Sequence, residues 1–205
     1  MRINPKKSVF AVSKLRFLGY CVDGQGIRPD AERIKALEKA PKPTSSKELQ
    51  SFLGFAQYYA KFVPHFATLA KPLFDTLQMD TFEWTIEADN RYNQLIRSLL
   101  GSQVLRSFQV GAESEVVVDA SEVAIGAVLE QHGHPVLCVS RQLSAAERNY
   151  SQTQREALAV VWAVRRLHKY LYGSKFRIVT DHKACLLYTS PSPRDLSTSR
   201  MPSSA

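Results

Sequence analysis

The stretch Val116-Val117-Val118-Asp119-Ala120-Ser121 constrains this chain more than any other. Three β-branched residues in succession are enough for a buried strand, and the run ends in a carboxylate followed by two small residues. Burial makes a free carboxylate costly, so Asp119 calls for a charge partner or a metal ion. Two more acids stand in comparable frames. Glu156 opens the helical pattern Glu156-Ala157-Leu158-Ala159-Val160-Val161-Trp162-Ala163, and Asp181 ends the apolar strand Phe176-Arg177-Ile178-Val179-Thr180. A strand-end Asp, a helix Glu and a second strand-end Asp are the layout of a site that holds divalent cations through oxygen ligands. Taken singly, Glu156 reads as a dipole-complementing surface residue and Asp181 as a loop cap. Asp119 has no such ordinary reading, because an apolar strand delivers it.

The rest of the sequence sets the company these acids keep. With 205 residues and 44% apolar content, the chain has room for one large domain or two small ones. No apolar stretch approaches a membrane span, and Met1-Arg2-Ile3-Asn4-Pro5 lacks the apolar core of a signal peptide. Cys21, Cys138 and Cys185 make neither a metal-type pair nor an even disulfide set, so the expectation is a soluble protein of a reducing, intracellular compartment with no membrane partner. The formal charge of +8 is uneven: residues 1–112 carry +6 and residues 113–184 carry +1. A basic first half beside a near-neutral half with clustered acids suits a polyanion-binding module joined to a metal-carboxylate module; ordinary solubilising charge fits the same numbers.

Residues 9–22 alternate like strands around Gly19, and Asp23-Gly24-Gln25-Gly26 follows as a turn, which predicts a hairpin with an exposed glycine and aromatic tip. A short helix from Pro29-Asp30 closes at Pro41 and Pro43. Ser45 and Glu48 form a capping-box signature ahead of a helix that buries Leu49, Phe52, Leu53, Ala56 and Tyr59, with Pro64 as its stop. A second amphipathic helix starts at Phe66, and a third, after Phe82-Glu83-Trp84-Thr85, ends at Gly101-Ser102. Core packing accounts for most of the aromatic stripe from Phe52 to Phe66; Tyr58 and Lys61 lie off the apolar face and are the expected surface contacts. Val104–Phe108 reads as a strand. Three strands over 115–119, 124–131 and 135–140, a helix over 152–170 and a strand over 176–180 complete an α+β chain: helices first, then a mixed sheet. Arg165-Arg166 with His168-Lys169 suit a phosphate-backbone grip and a solvated helix face equally. His182, beside Lys183, reads as an outer-shell or solvent group.

Several blocks in order resemble the Pol polyprotein of gypsy-type LTR retrotransposons, from the end of the reverse transcriptase into its ribonuclease H domain. They are Phe17-Leu18-Gly19-Tyr20, Gly26-Ile27-Arg28-Pro29-Asp30, Leu49-Gln50-Ser51-Phe52-Leu53-Gly54, Val118-Asp119-Ala120-Ser121, Ser140-Arg141-Gln142-Leu143-Ser144, Glu156-Ala157-Leu158-Ala159 and Thr180-Asp181-His182-Lys183. The resemblance spans Asn4 to Ala184. It implies a primer-grip hairpin over 1–28 carried by Phe17, Leu18, Gly19 and Tyr20, thumb helices over 29–80, and a connection helix and strand over 81–112. Over 113–184 it implies a truncated ribonuclease H-like domain. Asp119, Glu156 and Asp181 match the first three acids of that domain's site, which holds two Mg²⁺, with Mn²⁺ as the alternative. The family's fourth Asp has no counterpart here, and the polymerase's paired aspartates are absent. Ser8 stands where the family usually has Cys, and Gln154 where many relatives have Glu.

The implied function is hydrolysis of RNA in RNA–DNA hybrids by a fragment of a reverse transcriptase. Its parent is an RNA-directed DNA polymerase, and the isolated chain is expected to be inactive. Expected partners are the hybrid, a primer-template duplex and the rest of the polyprotein, in a cytoplasmic replication particle. The rival reading is a non-catalytic nucleic-acid-binding remnant; a nucleotide-binding domain is disfavoured by the lack of a glycine-rich phosphate loop. Residues 185–205 resemble translated sequencing adaptor and are expected to be disordered, Cys185–Asp195 from one adaptor and Ser199–Ala205 from the primer behind it.

Overall fold

Leu18 and Gly19 both take left-handed backbone conformations, φ 48° and 79°, and so turn β1 (Lys14–Phe17) tightly onto β2 (Tyr20–Asp23). Two positive φ values in a two-residue loop match the right-handed twist of the flanking strands. β3 (Gly26–Pro29) adds antiparallel to β2, making a three-stranded sheet. The computed structural model describes residues 8, 10–38, 41–101 and 104–181. His182, Lys183 and the adaptor-like 185–205 lie outside the described residues.

The hairpin tip differs from expectation in one respect. Phe17 and Leu18 are exposed, at 60% and 67%, but Gly19 is buried. A Cβ on it would lie 2.8 Å from the Tyr59 hydroxyl oxygen. The tip is thus clamped on the helices that follow.

The expected strand over Val104–Phe108 is a single bridge at Leu105. Leu105 and Ile27 exchange both backbone hydrogen bonds, at 2.8 and 2.9 Å. At the next residue the Arg106 N–H crosses instead to the Pro135 carbonyl at 2.9 Å, so pairing with β3 cannot continue. Only glycine fits at 26, where a Cβ would sit 2.2 Å from the Leu105 carbonyl oxygen.

Helices α1 (Ala31–Glu38), α2 (Ser46–Tyr58), α3 (Phe66–Leu77) and α4 (Ile86–Leu100) pack around one apolar core. The Ser45 hydroxyl accepts from the Glu48 N–H at 3.3 Å, but the Glu48 carboxylate turns to Thr44 N–H and hydroxyl, at 2.8 and 3.0 Å. The expected capping box is therefore only half formed. α2 also ends before Pro64, because the Tyr59 N–H tightens onto the Ala56 carbonyl and a 3₁₀ turn, Ala60–Phe62, follows. Leu49, Phe52, Leu53, Ala56 and Tyr59 are all buried, as their spacing predicts.

The second core lies on a four-stranded sheet of order β6-β5-β4-β7, with β4 (Ser114–Ala120), β5 (Ala124–Gln131), β6 (His134–Gln142) and β7 (Phe176–Val179). The first three form an antiparallel meander, and β7 returns parallel to β4. Between β6 and β7 run α5 (Ala145–Arg148), α6 (Gln152–Arg166) and α7 (His168–Leu171). The expected single helix over 152–170 breaks at buried Leu167. α5 is an addition to the sequence reading, opened by a complete capping box between Ser144 and Glu147. Val116, Val118 and Ala120 alternate inward along β4 and, with Ala159 and Ala163 of α6, form the core; the alanines let helix and sheet approach closely.

The two cores meet where the start of α3 docks on the sheet. The Ala67 N–H donates to the Ser140 hydroxyl at 3.0 Å, and the Thr68 and Ser121 hydroxyls are 3.3 Å apart. Cys138, 5% exposed, shares a cavity of about 310 Å³ with Phe62, Pro64, Leu105 and Val128. Burial pushes its thiol up to about 12. Among the described residues, no helix is long and apolar enough to cross a membrane.

Candidate active site

The parallel register of β4 and β7 brings the two aspartates together. Val117 pairs with Val179, and Asp119 and Asp181 each lie two residues further on. Glu156 reaches the same place from the fifth position of α6, after the Ser151 cap; it is 2% exposed. One oxygen from each of the three acids lies within 4.8 Å of the others. Sequence spacing alone favours a solvated surface Glu156. The structure buries it, because α6 lies flat on β4 and turns this position toward the strand ends.

Gln152 links helix to strand. Its side-chain amide donates to Glu156 Oε1 at 2.7 Å and to the Ala120 carbonyl at 3.1 Å, holding the carboxylate beside the end of β4. Asp119 has a partner from the helical half: His65 Nδ1 lies 3.1 Å from Asp119 Oδ2. His65 caps α3 in a left-handed conformation, φ 54°, and is half exposed, as is Asp119. Neither residue was marked by the sequence. Gln152 stands one helical turn before Glu156 and could have been found by spacing, whereas His65 is 54 residues from its partner and carries no local signal.

Three carboxylates this close repel one another when ionised. A hard divalent cation relieves that repulsion and prefers such oxygen donors, so Asp119, Glu156 and Asp181 fit the requirements of a metal site.

A second cluster gathers the other expected residues. Tyr20 and Tyr58 stack with ring centres 5.0 Å apart, and Lys61 Nζ lies 3.9 Å over the Tyr20 ring. The Tyr58 hydroxyl donates to the Leu18 carbonyl, and the Tyr59 hydroxyl to that of Gly19 at 2.9 Å. Tyr58 remains 45% exposed. Burial lowers the Lys61 ammonium from its ordinary pKa. Phe17, Leu18, Tyr20, Tyr58 and Lys61 thus share one surface, with Gly19 beneath it.

Residues 109–203 match the family described as an RNase H-like domain found in reverse transcriptase. Over 89% of its length the chain is similar to retrovirus-related Pol polyproteins of Drosophila melanogaster. It is 36% identical to that of transposon 297 over 185 residues and 34% identical to that of transposon gypsy over 198. The chain spans 18% and 19% of those relatives, about a fifth of their length. Its fold is similar to the foamy viral protease-reverse transcriptase in complex with an RNA/DNA hybrid, with a TM-score of 0.74, 20% identity, and coverage of 94% of this chain and 28% of that one. A version of the foamy viral protein termed dRH, in complex with double-stranded DNA, gives a TM-score of 0.76 at 21% identity, covering 92% and 34%.

Proposed function

Because residues 109–203 match the RNase H-like domain found in reverse transcriptase, within a chain similar to retrotransposon Pol polyproteins, we propose that this segment hydrolyses RNA in RNA–DNA hybrids. The observation that carries the reading is the convergence of Asp119, Glu156 and Asp181 from a strand end, a helix and a second strand end to within 4.8 Å.

Asp119, Glu156 and Asp181 would hold Mg²⁺, expected as two ions, and Mn²⁺ could replace it. When bound, such ions activate water and stabilise the leaving 3′-oxygen. Glu156, clamped by Gln152, supplies a fixed oxygen on the helix side, and Asp181 supplies one on the β7 side. Asp119 lies between the two halves of the chain, with one oxygen facing His65. Selectivity for the RNA strand would come from duplex shape and successive 2′-hydroxyls.

The boundaries that fit this reading are a primer-grip-like hairpin over 1–28, thumb helices over 29–80, a connection over 81–112 and the ribonuclease unit from 113. Phe17, Leu18, Tyr20, Tyr58 and Lys61 would contact a primer-template duplex, with Gly19 shaping the turn. The remainder of the polyprotein would supply polymerase chemistry.

The test compares the wild-type chain with Asp119→Asn. Mg²⁺ at a hundredfold its Kd should stabilise the wild type by about 2.7 kcal/mol in thermal unfolding, and the variant far less. A chain extended to a full ribonuclease H domain should cut a labelled RNA–DNA hybrid only with Mg²⁺ and only with Asp119 intact, while the 205-residue chain stays inactive. Equal metal stabilisation of both proteins removes the site assignment. Hybrid binding without metal stabilisation or cleavage supports the rival reading, a non-catalytic nucleic-acid-binding module.

A further inference from the structure

A groove of about 730 Å³ runs along edge strand β6, between the turn after α2 and the α6–α7 corner. Lys61 lines one wall, and Arg165, Arg166, His168 and Lys169 line the other. No acidic side chain lines it among the described residues. Some cations elsewhere are paired with carboxylates, as in Arg16–Glu32, Arg28–Asp23 and Arg141–Glu147, and others stand singly; the groove differs in gathering several cations with no acid among them. Lys61, Arg165, Arg166 and Lys169 have no ion pair among the described residues.

The end of α6 attracts cations through its own dipole, which accounts for Arg165 and Arg166 taken alone. It does not account for Lys61, which comes to the same groove from the other half of the chain about a hundred residues away. Lys61 also stacks on Tyr20, so the groove is continuous with the aromatic surface of Tyr20 and Tyr58.

We infer that this groove seats the sugar-phosphate backbone of a nucleic-acid duplex and extends the hairpin surface to the α6–α7 corner. The site adds a sequence-independent contact built from side chains other than the three acids. Long, exposed cations without a fixed base-reading geometry suit phosphates, and RNA–DNA and DNA duplexes should bind it alike. The inference rests on the chain acting on nucleic acid but not on the three acids being its metal site.

Fluorescence anisotropy of a labelled 20-base-pair hybrid and the matching DNA duplex, in EDTA, isolates the contact from cleavage. The full chain is compared with R166A/K169A and with the control R91A/R97A, which removes two cations of α4 outside the groove. All four side chains lie on helix surfaces, and circular dichroism with thermal unfolding confirms the fold of each variant. The groove variant should lower the slope of log affinity against log salt by about 1.8, two phosphate contacts at 0.9 each, while the control stays near the wild-type slope. Equal slopes for the groove variant and wild type overturn the inference, and so does an equal drop in the control, which would reflect net charge only. Heparin binding without duplex binding overturns it as well, by assigning the groove to another polyanion. Asp119→Asn should bind like the wild type. No cleavage by the extended chain with an intact slope difference therefore defeats the nuclease reading alone, and cleavage by it with no slope difference defeats the groove alone.

Discussion

Arg141 and Glu147 meet in a two-pronged pair, both contacts at 2.8 Å, and the Ser144 N–H adds a third bond to the same carboxylate. The Arg141 guanidinium, foremost, pulls the Glu147 carboxyl from the usual 4.5 to about 2. A folded-state value below the unfolded one contributes stability that is complete above about pH 4.5 and is lost as pH falls toward 2. Acid titration of unfolding stability should therefore be shallower for Glu147→Gln than for the wild type across that window. An unchanged acid limb would mean that the pair contributes nothing. The sequence made residues of this kind unequally visible. Asp119 stood out because three valines deliver it, and Asp181 because a strand ends on it. Burial of Glu156 depends on how α6 lies on the sheet, and the approach of His65 to Asp119 depends on the docking of two halves, so neither has a local signature.

At the scale of elements, the β1–β2 turn and the end of α2 form one unit through the Tyr59 hydroxyl, which is buried and bonded to the Gly19 carbonyl. Tyr59→Phe removes one of two donors from that carbonyl, the Asp30 N–H remaining at 2.9 Å, and should lower unfolding stability by about 0.5–1 kcal/mol in urea titration. A loss below a few tenths would show that the Asp30 N–H alone satisfies the carbonyl. The helices were legible because their apolar positions recur at helical spacing: Leu49, Phe52, Leu53 and Ala56 are buried as that pattern requires. The Val104–Phe108 strand was misread for a matching reason. Its apolar residues satisfy a strand pattern, but the hydrogen-bond partners of Leu105 and Arg106 belong to different sheets. α5 was missed although Ser144 and Glu147 carry a full capping signature, because four residues are too few to show periodicity.

For the molecule as a whole, small polar contacts near the acids join the helical and sheet cores, alongside the Arg106–Pro135 backbone bond and the apolar packing around Cys138. The contacts near the acids are His65 with Asp119, Ala67 with Ser140, and Thr68 with Ser121. Each such bond contributes on the order of 1 kcal/mol, so removing two of them should let the joint open more often. Cys138 lies under this joint, walled by Phe62 and Pro64 from the helical side. Burial raises its thiol well above the ordinary value and so keeps the reactive thiolate scarce. An alkylating reagent at this sulfur, followed by peptide mass spectrometry, should react slowly in the wild type and markedly faster in S121A/S140A. Equal rates would mean that the thiol is uncovered by some other opening. Faster alkylation in the double variant would make Cys138 a clock for how often the halves part and separate His65 from Asp119.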